Sequence, residues 1–163
     1  MNSILVATGS NLGIKKEHLF QAKKFLSINY HPQLELIEES RIYQSQAVDF
    51  LDQPFFLNQV LFFKTILSPL AILKILLDVE IKLGRDRNTS SNIKKGPRII
   101  DCDLIFYNQL FYTSKALHLP HPEWRKREFV TGPMGEITFG KEILKEFDPQ
   151  GKIKFSSTAF PLQ

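Results

Sequence analysis

Apolar positions along the chain recur with two different periods, and the periods assign the elements. Ser3–Thr8 is a short apolar run ending at Gly9, which predicts a first strand. From Lys15 to Ser27 the apolar residues Leu19, Ala22, Phe25 and Leu26 share one side of a predicted helix, and Pro32 breaks the pattern beyond it. Leu34–Ser40 alternates at Leu34, Leu36 and Glu38, a second strand. Residues 41 to 54 are polar and aperiodic, so an irregular connection is expected there, closed by Asp52-Gln53-Pro54; a loop of that length is commonly functional. The strongest strand signal is Phe55–Thr65. Its pleat puts Phe56, Asn58, Val60 and Phe62 on one face and Phe55, Leu57, Leu61 and Phe63 on the other.

Ser68-Pro69 opens a second helix, with Ser as N-cap and Pro at the first helical position. Ile72, Ile75, Leu76, Val79 and Leu83 form its stripe, and Gly84 ends it. A polar, basic stretch follows, either a solvated loop or a lid over phosphates. Gly96-Pro97 then leads into a last strand that reaches Phe106. Ile100, Cys102, Leu104 and Phe106 are expected on its apolar face, Asp101 and Asp103 together on the other. Pro120-His121-Pro122 precedes a short helix-like Glu123–Phe129, and the residues from Gly132 onward carry no clear pattern. The order strand, helix, strand, strand, helix, strand predicts a ferredoxin-like α+β sandwich. Its antiparallel sheet would carry helices on one face and the functional site on the other, as one domain over residues 1–163.

Composition narrows the class more than the function. With 163 residues, 43% apolar and 23% charged, the chain can bury a core without staples. A net charge of +4 suits an anionic small molecule as well as nucleic acid. The single cysteine, Cys102, excludes an internal disulfide and suits a reducing cytoplasm; on the apolar face it is expected to be packed and inert. No run approaches a membrane span, and Met1–Gly13 lacks the basic start of a secretory leader. A cytoplasmic monomer is expected.

The chemistry concentrates in a few residues. Two carboxylates on one strand face repel unless a cation lies between them, and hard oxygens there suit Mg²⁺ with substrate phosphates. The plain alternative is an edge strand with two solvated acids. Arg98, just before the pair, can grip phosphate bidentately. Phe56 beside Asn58 can form a flat slot, stacking a ring and bonding its edge, or Asn58 can simply bond backbone at a strand edge. Gly9-Ser10-Asn11-Leu12-Gly13 is a turn able to cradle a ligand, without the spacing of a P-loop.

These pieces together resemble the 6-hydroxymethyl-7,8-dihydropterin pyrophosphokinases of the folate pathway. The similarity is carried by Gly9-Ser10-Asn11-Leu12-Gly13, Asp52-Gln53-Pro54 with Phe56-Leu57-Asn58, and Glu80 with Gly84-Arg85-Asp86-Arg87. It continues through Gly96-Pro97-Arg98 with Asp101-Cys102-Asp103, and Pro120-His121-Pro122 with Arg127 and Phe129-Val130, over about residues 4 to 134. The resemblance implies transfer of the terminal diphosphate of MgATP to the pterin hydroxymethyl group, giving AMP. It implies that Asp101 and Asp103 hold two Mg²⁺ ions, and that the pterin stacks between Phe56 and Phe129. Asn58, with Ser45 and Val48, would read the pterin edge, and Gly9 belongs to the same subsite. Arg85, Arg87, Arg98, His121 and Arg127 would hold the triphosphate, Arg85 and Arg98 acting in catalysis, and Glu80 would lie near the adenosine. The chain departs from the family at Tyr43-Gln44-Ser45-Gln46-Ala47-Val48, where a Thr-Pro-Pro-like run is usual, and at Lys95, where an aromatic residue usually precedes Gly-Pro-Arg. Lys94 stands near the family's loop arginine, and the stretch beyond Met134 matches poorly. The rival class is a single-stranded RNA module on the same scaffold, which paired aspartates on the binding face would oppose.

Overall fold

The computed structural model describes residues 1–47, 52–85, 97–153 and 159–162. Strand β1 (Asn2–Ser10) leads to helix α1 (Lys15–Asn29), then β2 (Leu34–Glu39), β3 (Tyr43–Ser45) and β4 (Phe56–Thr65). Helix α2 (Pro69–Lys82) precedes β5 (Asp101–Tyr107) and a small hairpin of β6 (Tyr112–Thr113) and β7 (His118–Leu119). A 3-10 turn at Trp124–Lys126, α3 (Glu128–Met134), α4 (Thr138–Phe147) and β8 (Ala159–Pro161) complete the order. The main sheet runs β5-β1-β4-β3-β8, with β2 also paired to β4, and every pairing in it is antiparallel. No helix among the described residues is long and apolar enough to cross a membrane.

Pleat and packing agree along β4. Leu57, Leu61 and Phe63 meet Leu19, Ala22 and Leu26 of α1 and Ile72, Leu76 and Val79 of α2, in one continuous core. Ser68 caps α2 as expected, its hydroxyl accepting from the Ala71 N–H. On the opposite face Val60 and Phe62 join Leu5 of β1 in a second core. This second core corrects the expectation of helices on one face alone. Val130 and Met134 of α3, with Phe139 and Ile143 of α4, close over part of the other face too. The stretch after Gly132, expected to carry no clear pattern, holds α4, whose Phe139, Ile143, Leu144 and Phe147 fall at helical spacing on the side that packs in the second core.

Two further corrections follow from pairings that local pattern does not encode. The connection at 41–54 contains β3, three residues long, held between β4 and β8. Phe106, expected beside Cys102 and Leu104, packs in the second core with Ile105. The register slips between Leu5 and Val6 of β1, which pair with Phe106 and Leu104, so Ile105 is an inserted residue that turns the strand end over. Trp124 then stands edge-on to Phe106 at 5.0 Å.

Charged groups fasten the late helices to the sheet. Glu136 accepts from the Arg41 side chain at 2.7 and 2.9 Å and from the Tyr43 hydroxyl at 2.7 Å. Burial and this carboxylate push the Tyr43 hydroxyl up to about 12. Ile137, the N-cap of α4, offers no side-chain cap; Glu38 of β2 supplies it from outside, accepting from Thr138 N at 2.6 Å and Thr138 Oγ1 at 2.7 Å. The Thr138 hydroxyl and then its N–H hold the Glu38 carboxyl below its ordinary 4.5. Its stabilising contribution is therefore present above that ordinary value and lost as pH falls through the lowered one. Glu38→Ala is expected to reduce unfolding free energy by about 1 kcal/mol at neutral pH. Urea unfolding of both proteins should show the gap closing in acid.

Candidate active site

The second face of the sheet is only half covered, and side-chain size decides where the cover stops. Leu5 fills the space beneath α3 and α4, whereas Ala7 and Gly9, next along β1 on that face, leave a shallow floor. Across the sheet Ala7 pairs with Asp103 and Gly9 with Asp101 on one side; Gly9 pairs with Asn58 on the other. A Cβ on Gly9 would stand 3.0 Å from Asn58 Oδ1, so the floor is built for a hydrogen at that point. Above it lies a cavity of about 170 Å³.

Two similar arms wall this cavity. In one, the Arg98 guanidinium lies 5.6 Å from the centre of the Phe56 ring and 3.5 Å from Asp101 Oδ1. In the other, Arg127 lies 5.8 Å from the Phe129 ring and donates to Asp103 Oδ2 at 2.9 Å. The aromatic rings and both carboxylates all border the cavity. Asn58, which also borders the cavity, is buried and its Nδ2 donates to Ser45 Oγ at 2.9 Å. Sequence spacing places Phe56, Asn58, Asp101 and Asp103 on this face, and the structure brings them together with Gly9, Ser45, Arg98, Arg127 and Phe129.

The carboxylates are embedded in positive charge. Asp101 Oδ1 accepts from Arg85 at 2.7 Å, and His121 Nε2 stands 3.9 Å from Asp103 Oδ2. Burial, and then the charge of Asp101, raises the Asp103 carboxyl, while burial lowers His121 against the pull of Asp103. Such a half-buried pair gains from a further cation. Among the described residues no cluster of three or more His, Cys, Asp or Glu forms around it. The donor set thus fits a small hard divalent ion that completes its shell with water or phosphate oxygens. Cys102, between the two, is buried, and burial with the flanking carboxylates holds its thiol well above 9.0; it is no nucleophile.

Other expected site residues lie elsewhere. Glu80 is 2% exposed and does not border the cavity. It sits behind Arg85, taking its guanidinium at 2.5 Å and the Cys102 N–H at 2.8 Å, and so fixes both Arg85 and the start of β5. Val48, Arg87, Lys94 and Lys95 lie outside the described residues. Sequence spacing did not single out Gln53, Glu123 and Lys126, which border the cavity from two separate segments. Asn11 was named only as part of the Gly9–Gly13 turn, with no role of its own.

Arg85→Ala should leave the Glu80 carboxylate buried without its cation. A loss of about 3 kcal/mol in chemical unfolding is expected, with part recovered by adding Glu80→Gln.

Comparison with known proteins places the chain in a family. The family model described as 7,8-dihydro-6-hydroxymethylpterin-pyrophosphokinase matches residues 5–139. The 2-amino-4-hydroxy-6-hydroxymethyldihydropteridine pyrophosphokinase of Bacillus subtilis is 35% identical over 138 residues, covering 84% of this chain and 79% of that protein. Its counterpart of the same name in Aquifex aeolicus is 34% identical over 160 residues, covering 94% and 95%. A folic acid synthesis protein of Pneumocystis carinii is 35% identical over 136 residues, of which this chain spans only 17%. Among solved structures, HPPK-DHPS in complex with substrates superposes with a TM-score of 0.64 at 12% identity, over 99% of this chain and 46% of that one, a likeness of fold.

Proposed function

We propose how the cavity works from the premise that this chain belongs to the 7,8-dihydro-6-hydroxymethylpterin-pyrophosphokinase family. The protein transfers a pyrophosphoryl group to hydroxymethyldihydropterin in folate biosynthesis, with ATP as co-substrate. The observation that supports the assignment of roles is the pair of arms, each joining an aromatic wall to a carboxylate through one arginine. A ring slot and a phosphate site therefore adjoin, as transfer between a flat ring's side arm and a polyphosphate requires.

In this reading the pterin stacks between Phe56 and Phe129. Asn58, held by Ser45, offers its amide to the ring's edge, with Gly9 beneath and Val48 assigned to the same subsite. Asp101 and Asp103 hold Mg²⁺, two ions in the full complex. Bound there, the metal supplies neutralisation of charge on the phosphate oxygens. Arg98 and Arg127 meet the polyphosphate at the cavity wall, backed by Arg85 and His121 and joined by Arg87. The pterin hydroxyl oxygen bonds to the β-phosphorus, and the bond from that phosphorus to the oxygen kept by AMP breaks. The displaced hydroxyl proton needs no strong base, because positioning and charge lower most of the barrier. Glu80 is assigned to the adenosine side only through its hold on Arg85. The sheet order β5-β1-β4-β2 is read as the ferredoxin-like arrangement, and the protein as a cytoplasmic monomer.

The test is product analysis with ATP and 6-hydroxymethyl-7,8-dihydropterin. AMP and the pterin diphosphate are expected; ADP would instead mean transfer of a single phosphoryl group. Asp101→Ala and Asp103→Ala should each remove Mg²⁺-dependent turnover by several orders of magnitude without unfolding the chain. Retained turnover in either would remove that residue from the metal site. In calorimetry, Phe56→Ala and Asn58→Ala are expected to weaken pterin binding by about 1–3 kcal/mol each while nucleotide binding holds.

A further inference from the structure

Asn11, at the end of β1, is 1% exposed, and both ends of its side-chain amide are in use. Its Nδ2 donates to Gln53 Oε1 at 2.8 Å and to the Pro54 carbonyl at 3.2 Å. Its Oδ1 accepts from Arg98 N at 2.8 Å, and its own backbone N–H donates to the Arg98 carbonyl at 3.2 Å. Three stretches far apart in sequence meet on one side chain. Only a neutral amide both donates and accepts from one planar head at this reach; Ser is too short and Asp lacks the donor.

Arg98 and Gln53 both border the cavity. The Arg98 side chain is weakly fixed by its own polar contacts. Its Nε is buried and has no hydrogen-bond partner among the described residues, and its approach to Asp101, at 3.5 Å, is an ion pair beyond good hydrogen-bond length. What fixes the guanidinium over the Phe56 ring is therefore where its backbone stands, and Asn11 bonds that backbone on both its N–H and its carbonyl.

We infer that Asn11 is a positioning residue for the transfer: it clamps the Arg98 backbone against the Gln53-Pro54 wall and so aims the Arg98 guanidinium at the polyphosphate. The inference rests on the pyrophosphokinase reading above. A buried asparagine with full hydrogen bonding also supports the fold, so stability alone does not distinguish the roles. Acting through Arg98 does, because two residues on one path give losses that do not add.

The experiment is single-turnover AMP formation by wild type, Asn11→Ala, Asn11→Asp, Arg98→Ala and the double variant Asn11→Ala/Arg98→Ala, with thermal unfolding of each. Asn11→Ala is expected to slow turnover between about tenfold and a hundredfold, the scale of a misplaced catalytic group. Asn11→Asp keeps the acceptor for Arg98 N but loses the donor to Gln53 and Pro54 and sets a carboxylate against the Pro54 carbonyl, so it should be about as slow as Asn11→Ala. In the Arg98→Ala background the Asn11 change should cost less than about threefold more. Full additivity, an Asn11→Ala rate within twofold of wild type, or an aspartate near the wild-type rate would each overturn the inference. Should Asn11→Ala fail to fold, Asn11→Ser, with a hydroxyl too short to span both partners, enters the same cycle. A wild type that makes no AMP sinks the activity reading and this inference together; failure in an active wild type sinks this inference alone.

Discussion

Two carboxylates on adjacent same-face positions of one strand are the constraint around which the molecule is arranged. Their mutual repulsion grows as solvent leaves, so each must be met by a cation from another part of the chain. Arg85 arrives from the end of α2, Arg98 from the approach to β5, and Arg127 from just before α3. Arg85 needs an acceptor of its own, and Glu80 supplies one from within α2. The result is three carboxylates against three guanidiniums, drawn from three separate segments. A polyphosphate would add negative charge to a balanced set, which is why the proposed chemistry calls for divalent metal as well as arginine.

The second constraint is space. A sheet face packed along its whole length would be a core and nothing else. Leu5, Val60, Phe62 and Phe106 give α3 and α4 a surface to close on, and Ala7 and Gly9 withdraw that surface one pleat further along. Packing stops where side chains become too small to meet a helix, and the cavity begins there. The same helices carry Phe129 and follow Arg127, so closing the core also brings one arm of the site into place.

Polar contacts hold the arrangement where apolar packing cannot. Glu38 caps α4 across the sheet, Glu136 ties Arg41 and Tyr43 to the linker between α3 and α4, and Asn11 joins three loops at the cavity's edge. At Asn11, which is buried, the contacts also satisfy groups that would otherwise be stranded when water leaves.

Periodicity by itself determined the order of the main elements, the two faces of β4 and the common face of Asp101 and Asp103, because a pleat and a helical turn are properties of neighbouring residues. The Ser68-Pro69 start of α2 was legible for the same reason. The family resemblance named the reaction. What tertiary structure alone decided depends on residues far apart. β3 exists because β4 and β8 flank it, with too few residues to show a period. Phe106 changes face because β5 must slip one residue to stay paired with β1. Glu80 holds the Cys102 N–H and Asn11 clamps Arg98, and a hydrogen-bond partner 22 or 87 positions away leaves no mark on local pattern. Short-range geometry is written in the order of residues, whereas charge pairing and bulges are settled only when distant segments meet.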